Sequence, residues 1–531
     1  MSRIDVLSDD ILLEIFYFYV DKSPRYAYAY KWKTSVEEWQ SLVHVCRRWR
    51  GLVFRSPARL DLRLFCTPET PASDTLDAWP AFPLIIAGNV ALSSGTDNIV
   101  AALGQNNRVC QVNLRLADWQ LGPVLAALKE SFPELTDLRL FSQYETPPVD
   151  PDSDSPFDSY QLSDESDSSS DSPSHQLSDE SSPVIPDLPS DSFSDSSSDD
   201  SSPVIPDSLP KSFLDGSAPR LRHLSLSIPP RPFLGLSDLL SSANNLVRLY
   251  LHRIPHSVYI SPKGMVALLS RLSSLRTLTL AFQPPQSFPD WESRASPPSK
   301  LSILPALDEF CFRGITEYLE DLVTFIDAPQ LNNMNITFFH RTDFDCPRLA
   351  QFIDRTPTLR ARDEAHVKFN DWSAGIVLFN RFSTLGIEIS CNKPDSQLLS
   401  VTEVCSSSFP PLSTVEDLYI EHRYWRLVWE KDATENALWL GLLPPFTAVK
   451  NLYLSKEFAP GIAAALLELV GGRITDVLPC LQNILVEGLE PSGPLREAIG
   501  QFVAARQLSD HPIAISVWDR RRKLARILAR P

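Results

Sequence analysis

From residue 135 to residue 486 one spacing of apolar positions, L-x-x-L-x-L, keeps returning. It is clearest at Leu135-Leu138-Leu140, Leu221-Leu224-Leu226, Leu246-Leu249-Leu251 and Leu275-Leu278-Leu280. Looser copies stand at Leu307-Phe310-Phe312, Leu331-Met334-Ile336, Val415-Leu418-Ile420, Val449-Leu452-Leu454 and Leu481-Ile484-Val486. The last two apolar residues of each copy flank a residue of the other face, which predicts a short strand with two side chains turned into a core. Where consecutive copies are clear, the steps are 25, 29, 32, 24, 34 and 32 residues. The gap from Leu331 to Val415 has room for two degenerate units, of which Phe382-Leu385-Ile387 is the better. Between the strands, SPKGMVALLSRLSS and GIAAALLELV read as helices, the first with Met265, Leu268, Leu269 and Leu272 at helical spacing.

A pattern of this length and spacing resembles that of leucine-rich-repeat proteins, with the longer steps as insertions between strands. Each such unit leaves its apolar edges open until a neighbour stacks on it. A buried Leu contributes roughly 1.5–3 kcal/mol, so the stacked leucines are the expected main source of stability. The Asn that follows the last Leu of regular repeats is absent: Ser227-Ile228 follows Leu226 and His252 follows Leu251. With 45 Pro against 18 Gly, the expected fold is α/β, an irregular, Pro-cornered solenoid.

Ahead of the repeats the periodicity is helical. Leu7 to Val20 is predicted as a helix with Ser8 as N-cap, Asp9 and Asp10 in the first turn, and Leu7 and Leu12 at the positions of a hydrophobic staple. After a tyrosine-rich linker, Val36 to Phe54 is predicted as a second helix. Trp39, Leu42, Val43, Cys46, Trp49 and Val53 share its apolar face, and Arg47, Arg48 and Arg50 point to solvent. Two such short helices bury too little to stand alone.

The runs LSDDILLEIF and WQSLVHVCRRWRGLV resemble the F-box, whose usual pattern is close to LPxEILxxIF…LxxVCRxWRxL. The matching positions are Leu7, Ile11, Leu12, Ile15, Phe16, Leu42, Val45, Cys46, Trp49 and Leu52. Ser8 stands where the family usually has Pro, and the linker with Tyr26, Tyr28, Tyr30 and Trp32 is longer than usual. The rest of the chain resembles the repeat region of fungal F-box proteins. The resemblance implies a Skp-type adaptor bound through Leu7, Ile11, Leu12, Ile15, Phe16, Leu42, Cys46, Trp49 and Leu52, and through it a cullin–RING ubiquitin ligase. The repeats would then hold an unidentified protein substrate near the charged ubiquitin carrier, raising its effective concentration. In the other reading the helices merely cap the solenoid. An F-box leaves Leu7, Ile11, Ile15 and Trp49 as an exposed apolar patch, whereas a cap buries them.

Charge divides the chain sharply. Between Ser142 and Asp215 there are 18 Asp or Glu and one basic residue, Lys211, so this segment carries the whole net charge of −17. It repeats QLSDES at 161 and 176 and SSPVIPD at 181 and 201. Such a composition cannot offset its ordering entropy, and it is expected to be disordered. Ser163, Ser168 and Ser178 precede acids and suit acid-directed phosphorylation. The expected divisions are therefore 1–64 (F-box), 65–141 (first repeats), 142–215 (acidic insertion) and 216–531 (remaining repeats).

The neutral remainder gives no reason to expect nucleic acid or an anionic membrane as partner. Eight Cys without CxxC spacing, and no leader or membrane-length apolar run, place the expected site of action in the cytoplasm or nucleus. The basic run DRRRKLARILAR at the C-terminus is expected to be a last helix capping the solenoid, with a nuclear address as the other reading. No nucleophile elbow, phosphate loop or metalloprotease motif occurs, and His252 and His256 are separated by Pro255 without an acidic neighbour. Neither catalysis, a cofactor nor a metal is expected. Substrate contacts would come from strand positions between the inward leucines, such as Arg139, Ser225, Tyr250 and Thr279.

Overall fold

The computed structural model describes residues 7–21, 38–57, 59–60, 62–142, 213–227, 236–255, 260–284, 301–339, 344–360, 362–391, 393–407, 412–422, 435–471 and 474–519. Most of the acidic insertion, the tyrosine-rich linker, His256 and the basic run from residue 520 onward lie outside them.

The described chain opens with three helices, α1 (Asp9–Asp21), α2 (Glu38–Val45) and α3 (Arg47–Arg55). The pattern predicted α2 and α3 as one helix. The break falls at Cys46, whose backbone is extended (φ −159°, ψ 168°) and whose Sγ accepts the Trp49 N–H at 3.5 Å. A capping side chain ends one helix and starts the next, and it puts Cys46 in solvent rather than on the apolar face. Arg48 also departs from expectation. It reaches back to α1 and donates to the Asp9 carboxylate and the Leu7 carbonyl, both at 2.6 Å. Ser8 caps α1, its Oγ accepting the Ile11 N–H at 3.4 Å.

The strands follow in chain order: β1 (Leu64–Cys66), β2 (Leu84–Asn89), β3 (Val109–Leu116), β4 (Asp137–Ser142), β5 (His223–Ser227) and β6 (Arg248–Ile254). Next come β7 (Thr277–Phe282), β8 (Ser302–Ile303), β9 (Glu309–Gly314), β10 (Ile326–Asp327), β11 (Asn333–Phe339) and β12 (Glu364–Phe369). The last are β13 (Ser373–Phe379), β14 (Thr384–Ser390), β15 (Asp417–His422), β16 (Asn451–Leu454), β17 (Asn483–Glu487) and β18 (Ala514–Trp518). All but β8 and β10 form one 16-stranded sheet. The fold is thus mixed α/β around a large, nearly all-parallel sheet.

Every apolar position of the nine L-x-x-L-x-L copies from Leu135 to Val486, the degenerate unit at Phe382 apart, is at most 3% exposed. The strands line up so that equivalent leucines meet: Leu138 pairs with Leu224, Leu224 with Leu249 and Leu249 with Leu278. Helices cross from strand to strand on one side and pack on one another in strand order. Four of them, Pro262–Leu269, Pro347–Arg355, Pro394–Ser406 and Pro494–Leu508, begin with Pro. There its missing N–H costs nothing and its fixed φ suits the first turn.

The gap between Leu331 and Val415 is built differently from the two units expected. It holds three strands, and the order across the sheet reverses to β11-β14-β13-β12-β15. β13 runs antiparallel to both neighbours, while β14 and β12 remain parallel to β11 and β15. Leu385 and Ile387 enter the core as expected, but Phe382 sits on the β13–β14 turn and is 85% exposed. Both turns of this meander are closed by an Asn. Asn370 accepts the Trp372 and Ser373 N–H groups at 2.9 Å, and Asn380 accepts those of Phe382 and Ser383 at 2.8 Å.

At the insertion, β4 and β5 are adjacent parallel strands although Ser142 and His223 are far apart in sequence. The described residues begin again at Phe213, inside the stretch expected to run to Asp215. Phe213 and Leu214 are fully buried, and the Leu214 N–H donates to the Leu128 carbonyl at 2.8 Å. At the other end the three helices meet the sheet through an aromatic cluster. The Trp39 ring lies 5.2 Å from Trp79 and 5.5 Å from Phe82, and Phe54 lies 5.9 Å from Phe82. Among the described residues no helix is long and apolar enough to cross a membrane.

Candidate protein-binding surfaces

The ten F-box-like positions separate into three groups once folded. Leu12, Phe16, Leu42 and Leu52 are buried, at 1, 0, 6 and 9% exposure. Buried there, these four hold the three helices together. Leu7 and Trp49 are half-buried, the Trp49 ring packing on Phe16 at 4.6 Å. Ile11, Ile15, Val45 and Cys46 face solvent.

Phe18, which sequence reasoning did not single out, is 62% exposed and extends the stripe. Ile11, Ile15 and Phe18 stand at i, i+4 and i+7, one face of α1. A helix normally hides such a stripe. Here α1 has two, one turned inward and one outward. The outward one is framed by charge pairs that fix the helix: Arg48 with Asp9, and Arg59 with Glu14 at 2.5 Å.

The second surface is the sheet face opposite the helices. Arg139, Ser225, Tyr250 and Thr279 are brought together there, as consecutive members of one cross-strand row. Beside them Asp137 accepts from Arg139 at 3.0 Å and faces His223 Nδ1 at 2.9 Å. Burial alone would raise the Asp137 carboxyl, but His223 and the Arg139 guanidinium outweigh it and hold it below the usual carboxylate range. A concavity of about 610 Å³ runs across this part, lined among others by His223, Arg248, Tyr250, Thr277, Glu309 and Asn335.

Further along, the same row becomes aromatic. His366 stacks on Tyr419 at 4.4 Å, Tyr419 on Tyr453 at 4.0 Å, and Trp518 leans over both tyrosines at 5.7 and 5.6 Å. Acids border this ladder. Glu364 meets His366 Nε2 at 2.5 Å, Glu421 lies 3.3 Å from its Nδ1, and Asp417, Asn451 and Asn483 form a bonded chain with steps of 2.7 Å. Burial and the neighbouring Tyr453 raise the Tyr419 hydroxyl well above the ordinary tyrosine value. None of these residues was singled out from sequence. The available signal was the repeated L-Y-L or L-Y-I at Tyr250, Tyr419 and Tyr453, where the residue between inward positions is aromatic.

Chemically, such a face can hold an extended polypeptide by hydrogen bonding, stacking and charge. Among the described residues no three His, Cys, Asp or Glu side chains cluster as ligands for a metal ion. The eight cysteines are free thiols, with burial pushing Cys391 up to about 11 and Cys311 up to about 12. Comparison with protein-family models and with curated proteins gives no match.

Proposed function

We propose that this chain is the substrate-recognition adaptor of a Skp–cullin–F-box ubiquitin ligase. In this reading α1 to α3 are an F-box that docks a Skp-type adaptor. The sheet and its helices are an irregular leucine-rich-repeat solenoid whose open face holds a target protein, in the cytoplasm or nucleus. The observation that carries the reading is the outward stripe Ile11, Ile15, Phe18 and Val45 beside the inward half of the same motif, Leu12, Phe16, Leu42 and Leu52. A helix trio that only capped the sheet would have no use for the outward stripe. Burying each such side chain in a partner is worth up to about 1.5–3 kcal/mol, scaled by its exposed fraction.

A second reading keeps the repeat scaffold without the ligase. Its support is the packing of Trp39 and Phe54 on Trp79 and Phe82, which is what a cap needs. Co-purification with the host's Skp-type adaptor separates the two. Wild type is expected to capture the adaptor stoichiometrically and Ile11→Asp to lose it. Because Ile11 is 49% exposed, the variant should melt within about 1 °C of wild type, given that surface changes stay near ±0.5 kcal/mol. A folded wild type that captures no adaptor leaves the scaffold reading in its place.

A further inference from the structure

The aromatic ladder of the open face stands between two flanks of acid. Glu364 and Asp417, paired across β12 and β15, lie two places ahead of His366 and Tyr419. Glu421 and Glu487 lie two places beyond Tyr419 and Leu485, and Leu485 pairs with Tyr453. Positions two apart on a strand share a face, so four carboxylates border one row of rings. The same rows bring Lys368 as a counter-charge. The ladder closes at Trp518, on the last strand of the sheet. Its neighbours Ser516 and Val517 are exposed, yet Trp518 is only 6% exposed, its ring folded back over Tyr419 and Tyr453.

Two residues past Trp518 the sequence turns strongly basic. Residues 520–531 carry Arg520, Arg521, Arg522, Lys523, Arg526 and Arg530 and no acid. We propose that this segment seats on the acidic, aromatic half of the open face of its own chain and competes there with any partner. Charge supports it first, because opposite potentials both steer a contact and hold it. The rings support it second, because guanidiniums stack on aromatic faces and Tyr453 is half-exposed. Reach supports it third. From β18 to β12 the order is β18-β17-β16-β15-β12, four spacings or about 19 Å. A run of this length spans up to about 40 Å when extended.

Attachment favours this occupant over a free basic peptide. Trp518 pins the chain beside the seat, so the segment is held there at an effective concentration of the order of 1 mM. Its charge keeps it off the other half of the face, where Arg139 and Arg248 stand. A partner that spans the whole face must therefore displace it, whereas one confined to the cationic half need not. The inference depends on the chemistry of the face alone and holds whether the chain serves a ligase or is a scaffold without one.

The test compares the full-length protein with the same chain lacking residues 520–531. A fluorescein-labelled peptide of the sequence 520–531 is titrated into each. The shortened chain should bind it with a Kd of about 0.1 mM or tighter, and the full-length chain about tenfold more weakly, because the tethered copy already holds the seat. In the shortened chain D417N/E487Q should weaken the peptide about threefold to tenfold, as two partly exposed charge pairs would. E497Q, an exposed acid on the helix Pro494–Leu508, should leave binding as it was. A peptide carrying R520A/R521A/R522A should lose binding, which probes the same contact without touching the fold. Equal binding to the two chains, or none to the shortened one, overturns the proposal. So does binding that D417N/E487Q leaves unchanged, because the segment would then seat elsewhere, as a cap on the last strand. A full-length chain that sediments as a dimer, and a shortened one that sediments as a monomer, would place the segment on a second copy and overturn it equally.

Discussion

On β3 to β9 the open face carries Arg115, Arg139, Arg248 and Arg313 beside Asp137 and Glu309. From β12 across β15 and β16 to β17 it carries Glu364, Asp417, Glu421 and Glu487 beside Lys368. Beneath both halves the core is the same ladder of Leu, Ile, Val, Met and Phe, all but closed to water. The contrast separates two kinds of constraint. Inward positions are fixed by packing against the next strand, so they repeat. Outward positions pack only against their neighbours across the strands, so their chemistry varies along the sheet. A face that is cationic at one end and acidic and aromatic at the other orients an extended ligand as well as attracting it.

The comparison breaks most severely at the joint between the halves. β13 is the antiparallel strand that links them, and a Cβ at Gly375 would lie 2.2 Å from the Ile387 carbonyl oxygen and 2.7 Å from the Glu388 Cα. Those atoms are backbone and cannot swing aside. Gly375→Val should therefore cost about 3 kcal/mol. It should also split a single urea transition into two, because stacked units communicate only through neighbours. A single transition at unchanged midpoint would mean that β13 is not the joint.

That joint was not legible in the sequence, and the reason is physical. Its turns, Asn370–Ser373 and Asn380–Ser383, use an Asn side chain to bind two backbone N–H groups instead of the Gly or Pro that usually signals a hairpin. Strand spacing elsewhere was readable because three inward residues per unit obey one rule. β1, β2, β3 and β18 escaped notice as well; β3 carries the spacing as Val109-Val112-Leu114, with Val in place of Leu at two of the three positions. At the N-terminus, periodicity and resemblance found the right residues but not their directions. Ile11 and Leu12 are neighbours in one motif, yet one is 49% exposed and the other 1%. Only the placement of α2 and α3, set by the break at Cys46 and the Arg48 contact with Asp9, decides which stripe faces out.

A smaller effect sharpens the cationic half. Asp137→Asn removes the charge that binds Arg139 and His223, and a buried charge-assisted pair of this kind is worth about 1–2 kcal/mol. The folded carboxyl titrates below its unfolded value. The contribution is therefore complete above the unfolded value near 3.9 and is lost as pH falls through the folded value. Urea unfolding of wild type and variant should differ by that amount at pH 7 and converge in acid. A difference that persists unchanged to pH 2 would assign the loss to packing instead of charge.

The finest distinction lies between two tyrosines that occupy the same position of the same L-Y-L pattern. Tyr453 stacks on Tyr419 at 4.0 Å beneath Trp518 at 5.6 Å, while Tyr250 lies parallel to His252 at 6.4 Å. Leucine preserves most of the apolar area at either site, so the difference isolates ring contacts. Aromatic pairs contribute about 0.5–1.5 kcal/mol beyond area. Tyr453→Leu should thus cost about 1 kcal/mol and change the emission of the tryptophans through Trp518. Tyr250→Leu should cost less than about 0.5 kcal/mol and leave emission as it was. Equal losses would mean that the aromatic ladder is ordinary packing. Unequal losses in this direction identify the second half of the face as a preassembled wall, held together by its own rings.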